Sequence, residues 1–137
     1  IYGKDSKGNY PVLSKFARKL PFFPFVKNER SMIYIENFCE FVRLMIENEE
    51  TGIFWPQNKE YTNTSYMVQT IAEVHGKKMH LIKGFTWALK LISFCTGMIN
   101  KAFGNLSYDQ KLSVYKEDYQ LVSLKESILK TEGKENG

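Results

Sequence analysis

Arg30 is the residue whose type and neighbours are best suited to binding a ligand. It directly precedes residues 31–37, where the spacing of apolar residues is typical of a strand. A helical pattern of apolar residues follows at once. A guanidinium presents a rigid fork of donors that can hold phosphate oxygens two at a time. At the start of a strand that faces a crevice, Arg30 would therefore bind a phosphate or diphosphate group. A surface ion pair with Glu29 is the alternative.

Two further groups of residues could complete such a site. Lys101 and the glycine-containing turn at 103–105 form a second cationic patch. The aromatic side chains of Phe22, Phe23 and Phe25 could wall a slot for a planar base, because aromatic faces stack on flat rings. Burial in the core is the alternative for these aromatic side chains.

Residues suited to metal or redox chemistry are few. His75 and His80 are the only histidines of the sequence, and no acidic residue joins them at ligand spacing, so no metal site is predicted. Cys39 and Cys95 both lie in apolar helical patterns and are expected to be buried free thiols in a reducing cytosol. A disulfide between them is the alternative. The predicted localisation is cytoplasmic.

The sequence signatures of dinucleotide chemistry are missing from this chain. A Rossmann half needs closely spaced glycines after a strand, and neither G-x-G-x-x-G nor G-x-x-G-x-x-G occurs. None of the eight tyrosines has a lysine four residues further on, so there is no Tyr-x-x-x-Lys pair to act as a base. No catalytic residue is predicted within the chain.

The charge balance fits an anionic ligand without indicating nucleic acid. The 137 residues carry a formal net charge of +4, and the pI is about 9.0. Such a mildly basic protein suits an anionic partner. The lysines are scattered rather than grouped in blocks, so nucleic-acid binding is not predicted. A solvated surface with spare lysines is the alternative.

Apolar spacing and turn residues predict a mixed α/β fold within one domain. The predicted elements of the first half are a loop at 2–8, a helix from Asn9 that Pro21 ends, an edge or loop segment at 22–26, a short strand at 32–35, a helix at 36–48 and a buried strand at 53–55. The predicted core residues of the two helices are Val12, Leu13, Phe16, Ala17 and Leu20, and Phe38, Phe41, Val42, Met45 and Ile46.

The second half continues the alternation of helices and strands. Its predicted elements are a helix capped by Asn63 and closed by Gly76, a strand at 79–82, an apolar helix at 85–99, irregular or 3₁₀ structure at 101–113, a helix capped by Ser123 and a flexible polar tail at 130–137. The helix at 85–99 is too short to span a bilayer, which takes about 20 residues. Packing inside the intact protein is favoured for it over a protein partner or a membrane surface.

Several segments occur in an order that carries more information than any one of them alone. They are Ile1-Tyr2-Gly3, Asn9-Tyr10-Pro11, the aromatic run at 22–25, the run at 30–37, residues 52–58, the helix at 63–76, and residues 106–109 and 119–128. Together they resemble the extended short-chain dehydrogenases of the NAD-dependent epimerase/dehydratase family, with UDP-sugar 4-epimerases closest. Residues 30–37 are similar to that family's R-[DS]-x-x-[HY]-[VI]-x-D segment, with Asn37 in place of the usual Asp.

The resemblance implies a division of labour between two parts of an enzyme. NAD would bind mainly to an N-terminal Rossmann half, whose Tyr/Lys pair handles proton transfer. Residues 1–137 would be the C-terminal, substrate-binding portion, of mixed α/β fold and lacking most of the Rossmann sheet. Residues 1–3 would be the end of a Rossmann strand, with Tyr2 close to the cofactor. This portion would be inactive alone.

The resemblance also assigns residues to the substrate, which would be a nucleotide sugar and most simply a UDP-sugar. Arg30 and Lys101 would hold the phosphates. The base would be held by Asn9 and by three aromatic side chains, those of Phe22, Phe23 and Phe25. Exposed apolar edges left by the absent strands would favour a homo-oligomer. The alternative function is a stand-alone α+β interaction module that binds a protein partner or a membrane surface through the helix at 85–99.

Overall fold

The computed structural model describes residues 1–84 and 104–133 as a mixed α/β fold. Within these ranges there are four α-helices, one 3₁₀ helix and a two-stranded parallel sheet, which confirms the predicted fold class. The elements are α1 (Tyr10–Lys19), β1 (Phe22–Pro24), α2 (Ile35–Glu47), α3 (Thr64–Val74), β2 (His80–Ile82), the 3₁₀ helix (Gln110–Ser113) and α4 (Leu124–Thr131). None of these described helices has the length and apolar character needed to cross a membrane. The predicted helix at 85–99, Cys95 and Lys101 lie outside the described residues.

Helix α3 is the centre of the main core. Its start is as predicted, because the side-chain oxygen of Asn63 accepts hydrogen bonds from the backbone N–H groups of Ser65 and Tyr66 at 3.0 and 3.2 Å. Gly76 follows its end with φ +67°, a left-handed conformation that glycine adopts without strain. The helix packs against α1, α4 and both strands. Its most deeply buried apolar side chains are Met67, Val68, Ile71 and Ala72.

Helix α1 begins directly after Asn9, and Pro11 lies in its first turn, where a missing N–H breaks no helical hydrogen bond. Leu13 and Ala17 are buried against the core, as predicted. The predicted core residues Phe16 and Leu20 are instead 38% and 44% exposed. The apolar stripe of α1 that faces α3 is therefore narrower than its sequence predicts.

Helix α4 closes the core from the other side of α3. Ser123 caps it as predicted, since its hydroxyl oxygen accepts a hydrogen bond from the N–H of Glu126 at 3.3 Å. Ile128 is fully buried. Lys130 and Thr131 belong to the last turn of this helix, so the first two residues of the predicted tail are helical. Residues 134–137 lie outside the described ranges.

The sheet pairs β1 with β2 in parallel, with Phe22 opposite His80 and Pro24 opposite Ile82. Proline has no N–H to give to a ladder, so β1 is confined to an edge, as predicted. Alternate residues of a strand point to opposite faces. Phe23 is accordingly 3% exposed in the core, whereas Phe22 is 55% exposed.

The predicted strand at 32–35 is reduced to isolated bridges. Tyr34 forms one parallel bridge to Tyr2, in which the N–H of Tyr2 donates to Ile33 at 3.0 Å and the N–H of Ile35 donates to Tyr2 at 2.9 Å. Ile35 is already the first residue of α2. Tyr2 therefore pairs with the predicted strand at Tyr34, but α2 begins at the next residue and leaves no room for a longer ladder.

Helix α2 has nearly the predicted bounds and buries part of the predicted face, since Phe38 and Met45 pack against the cluster that contains Phe41. Phe41 and Leu44 are buried, while the predicted core residues Val42 and Ile46 are 37% and 71% exposed. Positions 37, 41 and 44 repeat at helical spacing and face the loop at 115–122. The packing partner, rather than the apolar pattern alone, thus selects the face of α2 that is buried.

Residues 53–55 and Cys39 correct two further predictions. Ile53, Phe54 and Trp55 form no strand in the described structure and are 79%, 38% and 40% exposed, where a fully buried strand was predicted. The described residues offer these three no neighbouring strand with which to pair. Cys39 is exposed rather than buried, because it lies on the outer side of α2.

Candidate anion-binding cleft

The backbone of Arg30 is held on both sides. Arg30 and Thr62 exchange two backbone hydrogen bonds of 3.0 and 2.9 Å in an antiparallel bridge. On the other side, the N–H of Ser31 donates to Leu106 at 2.8 Å, and the N–H of Leu106 donates to Glu29 at 3.1 Å. These bonds fix the position from which the Arg30 side chain extends.

The guanidinium of Arg30 keeps most of its donors free within the described residues. Nη1 donates to the carbonyl oxygen of Gly104 at 3.0 Å. None of the ion pairs found in the described ranges includes Arg30, so the alternative of a pair with Glu29 is not seen. Burial lowers the pKa of the Arg30 guanidinium from its usual value. A partly buried cation without a carboxylate partner is suited to binding an anion.

The Arg30 side chain lines a cleft of about 220 Å³, hereafter the Arg30 cleft. Asn9, which was predicted to act with Arg30, lies in the same cleft, and Lys7 joins them. The polar lining residues are Lys7, Asn9, Arg30, Ser31, Thr62 and Thr64. Leu13, Met32 and Met67 supply apolar walls, and none of the described residues that line the cleft is acidic. The cleft therefore offers two cations and a carboxamide without an opposing carboxylate.

Asn9 is available to a ligand. It stands at the N-terminal cap position of α1, yet its side chain makes no capping hydrogen bond. Asn9 is half-buried and lines the cleft, so a ligand in the cleft can contact it. A free amide presents both a donor and an acceptor.

Tyr2 contributes to the wall of the cleft, but its hydroxyl is already occupied. The hydroxyl contacts Ser127 Oγ at 2.6 Å and accepts a hydrogen bond from Asn58 Nδ2 at 3.0 Å. The side chain is 1% exposed, and burial raises the pKa of the Tyr2 phenol. A contact between Tyr2 and a cofactor stays a prediction that this geometry does not favour.

The structure does not bring the three predicted phenylalanines to the cleft. Phe23 belongs to the core, where its ring lies 6.4 Å from that of Phe16. Phe22 lies 5.7 Å from the ring of His80, and Phe25 lies 5.8 Å from that of Tyr66. The pairing of β1 with β2 holds them on the sheet, away from Arg30.

The turn near Lys101 does approach Arg30. Lys101 itself lies outside the described residues, but Gly104 accepts the hydrogen bond from the Arg30 guanidinium. Asn105 Oδ1 accepts a hydrogen bond from the N–H of Glu29 at 3.1 Å. Gly104 and Asn105, the described residues of the predicted turn, are therefore neighbours of Arg30 and Glu29. Sequence reasoning missed Lys7, whose only signal was its place in the loop before Asn9.

A Ser–His–Glu cluster lies on the far side of α1. Glu132 Oε2 accepts a hydrogen bond from Ser14 Oγ at 2.9 Å and contacts His75 Nε2 at 2.7 Å. A nucleophilic serine needs the histidine as its hydrogen-bond partner. Here Ser14 donates to the carboxylate instead, so the cluster joins α1, α3 and α4 and activates no nucleophile.

Two of the larger grooves in the described structure carry charges of both signs. Their volumes are about 510 and 540 Å³. The charged residues of the first are Lys59, Glu60, Glu73 and Lys125, and those of the second are Lys59, Lys111, Lys116, Glu117 and Asp118. Such mixed linings favour an anion less than the Arg30 cleft does. The described residues contain no group of three or more His, Cys, Asp or Glu side chains that could hold a metal.

Comparison with known proteins finds one curated enzyme similar to this chain. UDP-glucose 4-epimerase of Vibrio cholerae is 25% identical to it over 118 residues, which cover 82% of this chain and 34% of the epimerase. The chain thus spans about a third of the length of that enzyme. No protein-family model matches the chain, and no solved structure matches it significantly. The chain is accordingly similar in sequence to a nucleotide-sugar epimerase, and this agrees with the resemblance seen in its motifs.

The described residues do not fit the NAD that the resemblance implies. A dinucleotide site needs a glycine-rich turn between a parallel strand and a helix N-terminus. The two described parallel strands, β1 and β2, are more than fifty residues apart in sequence. The first, β1, contains Pro24, and the loop that follows it has no glycine. The Tyr2 hydroxyl is bonded within the core.

Proposed function

We propose that this chain is the substrate-binding portion of an NAD-dependent nucleotide-sugar epimerase or dehydratase of the UDP-sugar 4-epimerase type. In this proposal the Arg30 cleft binds the diphosphate of a nucleotide sugar, and Asn9 contacts the ligand beside it. Chemistry that depends on NAD belongs to residues outside this chain. The chain alone is then expected to bind substrate and not to turn it over.

The observation that carries this proposal is the meeting of Arg30 and Asn9 in one cleft, to which residues 1–84 and 104–133 contribute no acidic side chain. The two residues are distant in sequence and were assigned to the same ligand by the resemblance. A guanidinium that makes no ion pair in the described structure can direct two parallel N–H donors at a phosphate. The similarity to UDP-glucose 4-epimerase supports the same ligand class.

The contribution of such a cleft to an epimerase would be positioning. Holding a substrate in the reactive geometry can account for a large share of catalysis. Backbone bonds to Thr62 and Leu106 fix residues 29–31, so the position from which the Arg30 side chain extends is set before a ligand arrives. The chain residues would bind and orient the diphosphate, and the sugar would then extend toward the remainder of the enzyme.

Isothermal titration of the full chain with UDP, UDP-glucose and uridine tests this function. We expect binding of UDP and UDP-glucose and none of uridine, because the cleft recognises the phosphates. Arg30→Met should weaken UDP binding by about tenfold or more, the cost of losing a charge-assisted hydrogen bond. Arg43→Met is the matched control, since Arg43 pairs with Glu40 and Glu47 on the surface of α2.

Two results would contradict the proposal. One is no heat with UDP or UDP-glucose at protein concentrations that detect a millimolar Kd. The other is an Arg30→Met variant that binds UDP as tightly as the unmodified chain does. Circular dichroism and the urea unfolding midpoint of each variant establish that the substitution has left the fold intact.

A further inference from the structure

Lys7 is held at the rim of the Arg30 cleft by the loop that joins Tyr2 to α1. The N–H of Ser6 donates to the carbonyl oxygen of Gly3 at 3.1 Å, which closes a turn before Lys7. Gly3 packs so closely on α2 that an added Cβ would lie 2.6 Å from the side chain of Ile35. The loop is therefore anchored at its start by a close approach that only glycine permits.

The loop places Lys7 and Asp5 in two different pockets. Lys7 lines the Arg30 cleft, whereas Asp5 lines a different pocket, of about 230 Å³, together with Arg18 and Glu132. Asp5 has φ +58°, a left-handed conformation in which a short polar residue is tolerated. The carboxylate nearest to Lys7 in sequence thus faces away from the Arg30 cleft.

Neither cation of the cleft is neutralised by the described protein. Lys7 is exposed and forms no ion pair within the described ranges, and the same holds for Arg30. Two like charges that face one cleft repel each other until an anion binds between them. A ligand with more than one negative group would gain from both.

The size of the cleft limits what it can hold. Its volume of about 220 Å³ is below the roughly 300–1,000 Å³ of pockets that enclose a whole drug-sized ligand. The cleft therefore suits one part of a nucleotide sugar. The charged part is the one that its lining favours.

We infer that Lys7 is a second phosphate-binding cation of the Arg30 cleft, contributed by the described residues, so that the cleft selects two linked phosphoryl groups over one. This inference rests on the proposed function and adds the residue that distinguishes a nucleoside diphosphate from a monophosphate. Arg30 binds one phosphoryl group with its planar fork, and Lys7 binds the other as a point charge on a flexible stem.

Titrations with UDP, UMP, inorganic pyrophosphate and inorganic phosphate test the inference on the full chain. We expect the unmodified chain to prefer UDP over UMP and pyrophosphate over phosphate. Lys7→Met should reduce the affinity for the two diphosphates by about fivefold, the upper range for an exposed ion pair, and leave the monophosphates nearly unchanged. Lys7→Arg should restore the preference. Lys4→Met is the control, because Lys4 lies on the same loop and does not line the cleft.

The outcomes separate this inference from the proposed function. If UDP binds in an Arg30-dependent way but Lys7→Met leaves the UDP-to-UMP ratio unchanged, the role of Lys7 is refuted and the proposed function stands. This includes the case in which Lys7→Met weakens the binding of UDP and UMP equally, since that pattern reports a general charge effect. If the unmodified chain binds no UDP, both proposals fall.

Discussion

Helix α3 and the outer side of α2 have similarly apolar sequences but opposite surroundings. Ile71 in α3 is fully buried among side chains from α1, α4 and the sheet. Ile46 in α2 is 71% exposed, and the nearby Ile53 and Trp55 are 79% and 40% exposed. One region is thus covered on all sides by the described residues, and the other is covered on one side only.

The difference shows what an apolar pattern can and cannot determine. It states that a face should be buried, and it does not state what will bury it. α3 finds its partners within the described residues on all sides, whereas α2 buries one face, in which the ring of Phe41 lies 4.9 Å from that of Tyr119. Two partners are expected to cover the exposed side: a second copy of the chain, as the sequence analysis predicts, or the remainder of an epimerase-like enzyme.

The largest expected effect comes from truncating the two isoleucines that define the comparison. Ile71→Ala should lower the free energy of unfolding by about 2–5 kcal/mol, because it leaves a cavity in a closed core. Ile46→Ala should change it by less than about 0.5 kcal/mol, as is usual for an exposed site. Urea unfolding measures both. A large, protein-concentration-dependent loss in Ile46→Ala would instead show that this side is covered by a second copy in solution.

The next effect concerns Asn37, which stands where the motif that residues 30–37 resemble usually has Asp. Its Nδ2 donates to Val122 O at 3.0 Å and Asn58 Oδ1 at 3.3 Å, and its Oδ1 accepts from the N–H of Val122 at 2.9 Å. Asn37→Asp puts a buried carboxylate beside two acceptors and should lower the free energy of unfolding by about 3 kcal/mol or more.

The effect of Asn37→Asp should depend on pH in a defined direction. Burial among acceptors raises the pKa of the new carboxyl in the folded state, so the destabilisation is full at neutral pH and shrinks as the pH falls and the carboxyl becomes a donor. Asn37→Ala is the control and should show no such dependence. An Asp variant as stable as the unmodified chain at neutral pH would contradict the assignment of these hydrogen bonds.

A smaller effect is expected at the start of α3. Asn63 caps this helix through Oδ1 and also donates from Nδ2 to Val26 O at 2.8 Å and to Asn28 O at 2.9 Å. Asn63→Ala should cost about 1–2 kcal/mol of stability. Asn63→Asp keeps the cap and loses the two donated bonds, so a difference between the variants in urea unfolding measures those bonds. Equal stability of Asn63→Ala and the unmodified chain would show that the cap contributes little.

The smallest effect is an acid-dependent link between α2 and α4. Lys130 Nζ donates to Glu36 at 2.7 Å, and this bond lowers the pKa of the Glu36 carboxyl. Its stabilisation is full above the usual glutamate pKa of about 4.3 and is lost as the pH falls through the lowered folded value. Because both groups are largely exposed, Lys130→Met should shift the unfolding midpoint only slightly, and only above that range. An equal shift in strong acid would argue for lost packing instead.

Local chemistry made several features of this molecule predictable. Asn63 and Ser123 cap their helices through hydrogen bonds to residues two or three positions away, and Gly76 ends α3 in a conformation that glycine alone adopts freely. These interactions form within one turn of chain. The effect of Pro24 is local too, because its missing N–H confines β1 to an edge.

The candidate site was predictable only in part. Arg30 and Asn9 could be singled out by type and by the resemblance, and the tertiary structure places them in one cleft. Lys7 could not be found in the same way, because one lysine in a polar loop carries no pattern. Its position depends on the anchoring of Gly3 against Ile35, a contact between residues distant in sequence.

By itself the sequence determined the mixed α/β class, the helix ends set by local caps and turns, and the choice of Arg30 as a cation suited to phosphate. Tertiary structure alone decided that Ile46 and residues 53–55 are exposed, that Phe22, Phe23 and Phe25 lie away from the cleft, and that Lys7 joins it. The physical reason is range. Caps and turns act over a few residues, whereas burial and cleft formation depend on which distant segments pack together.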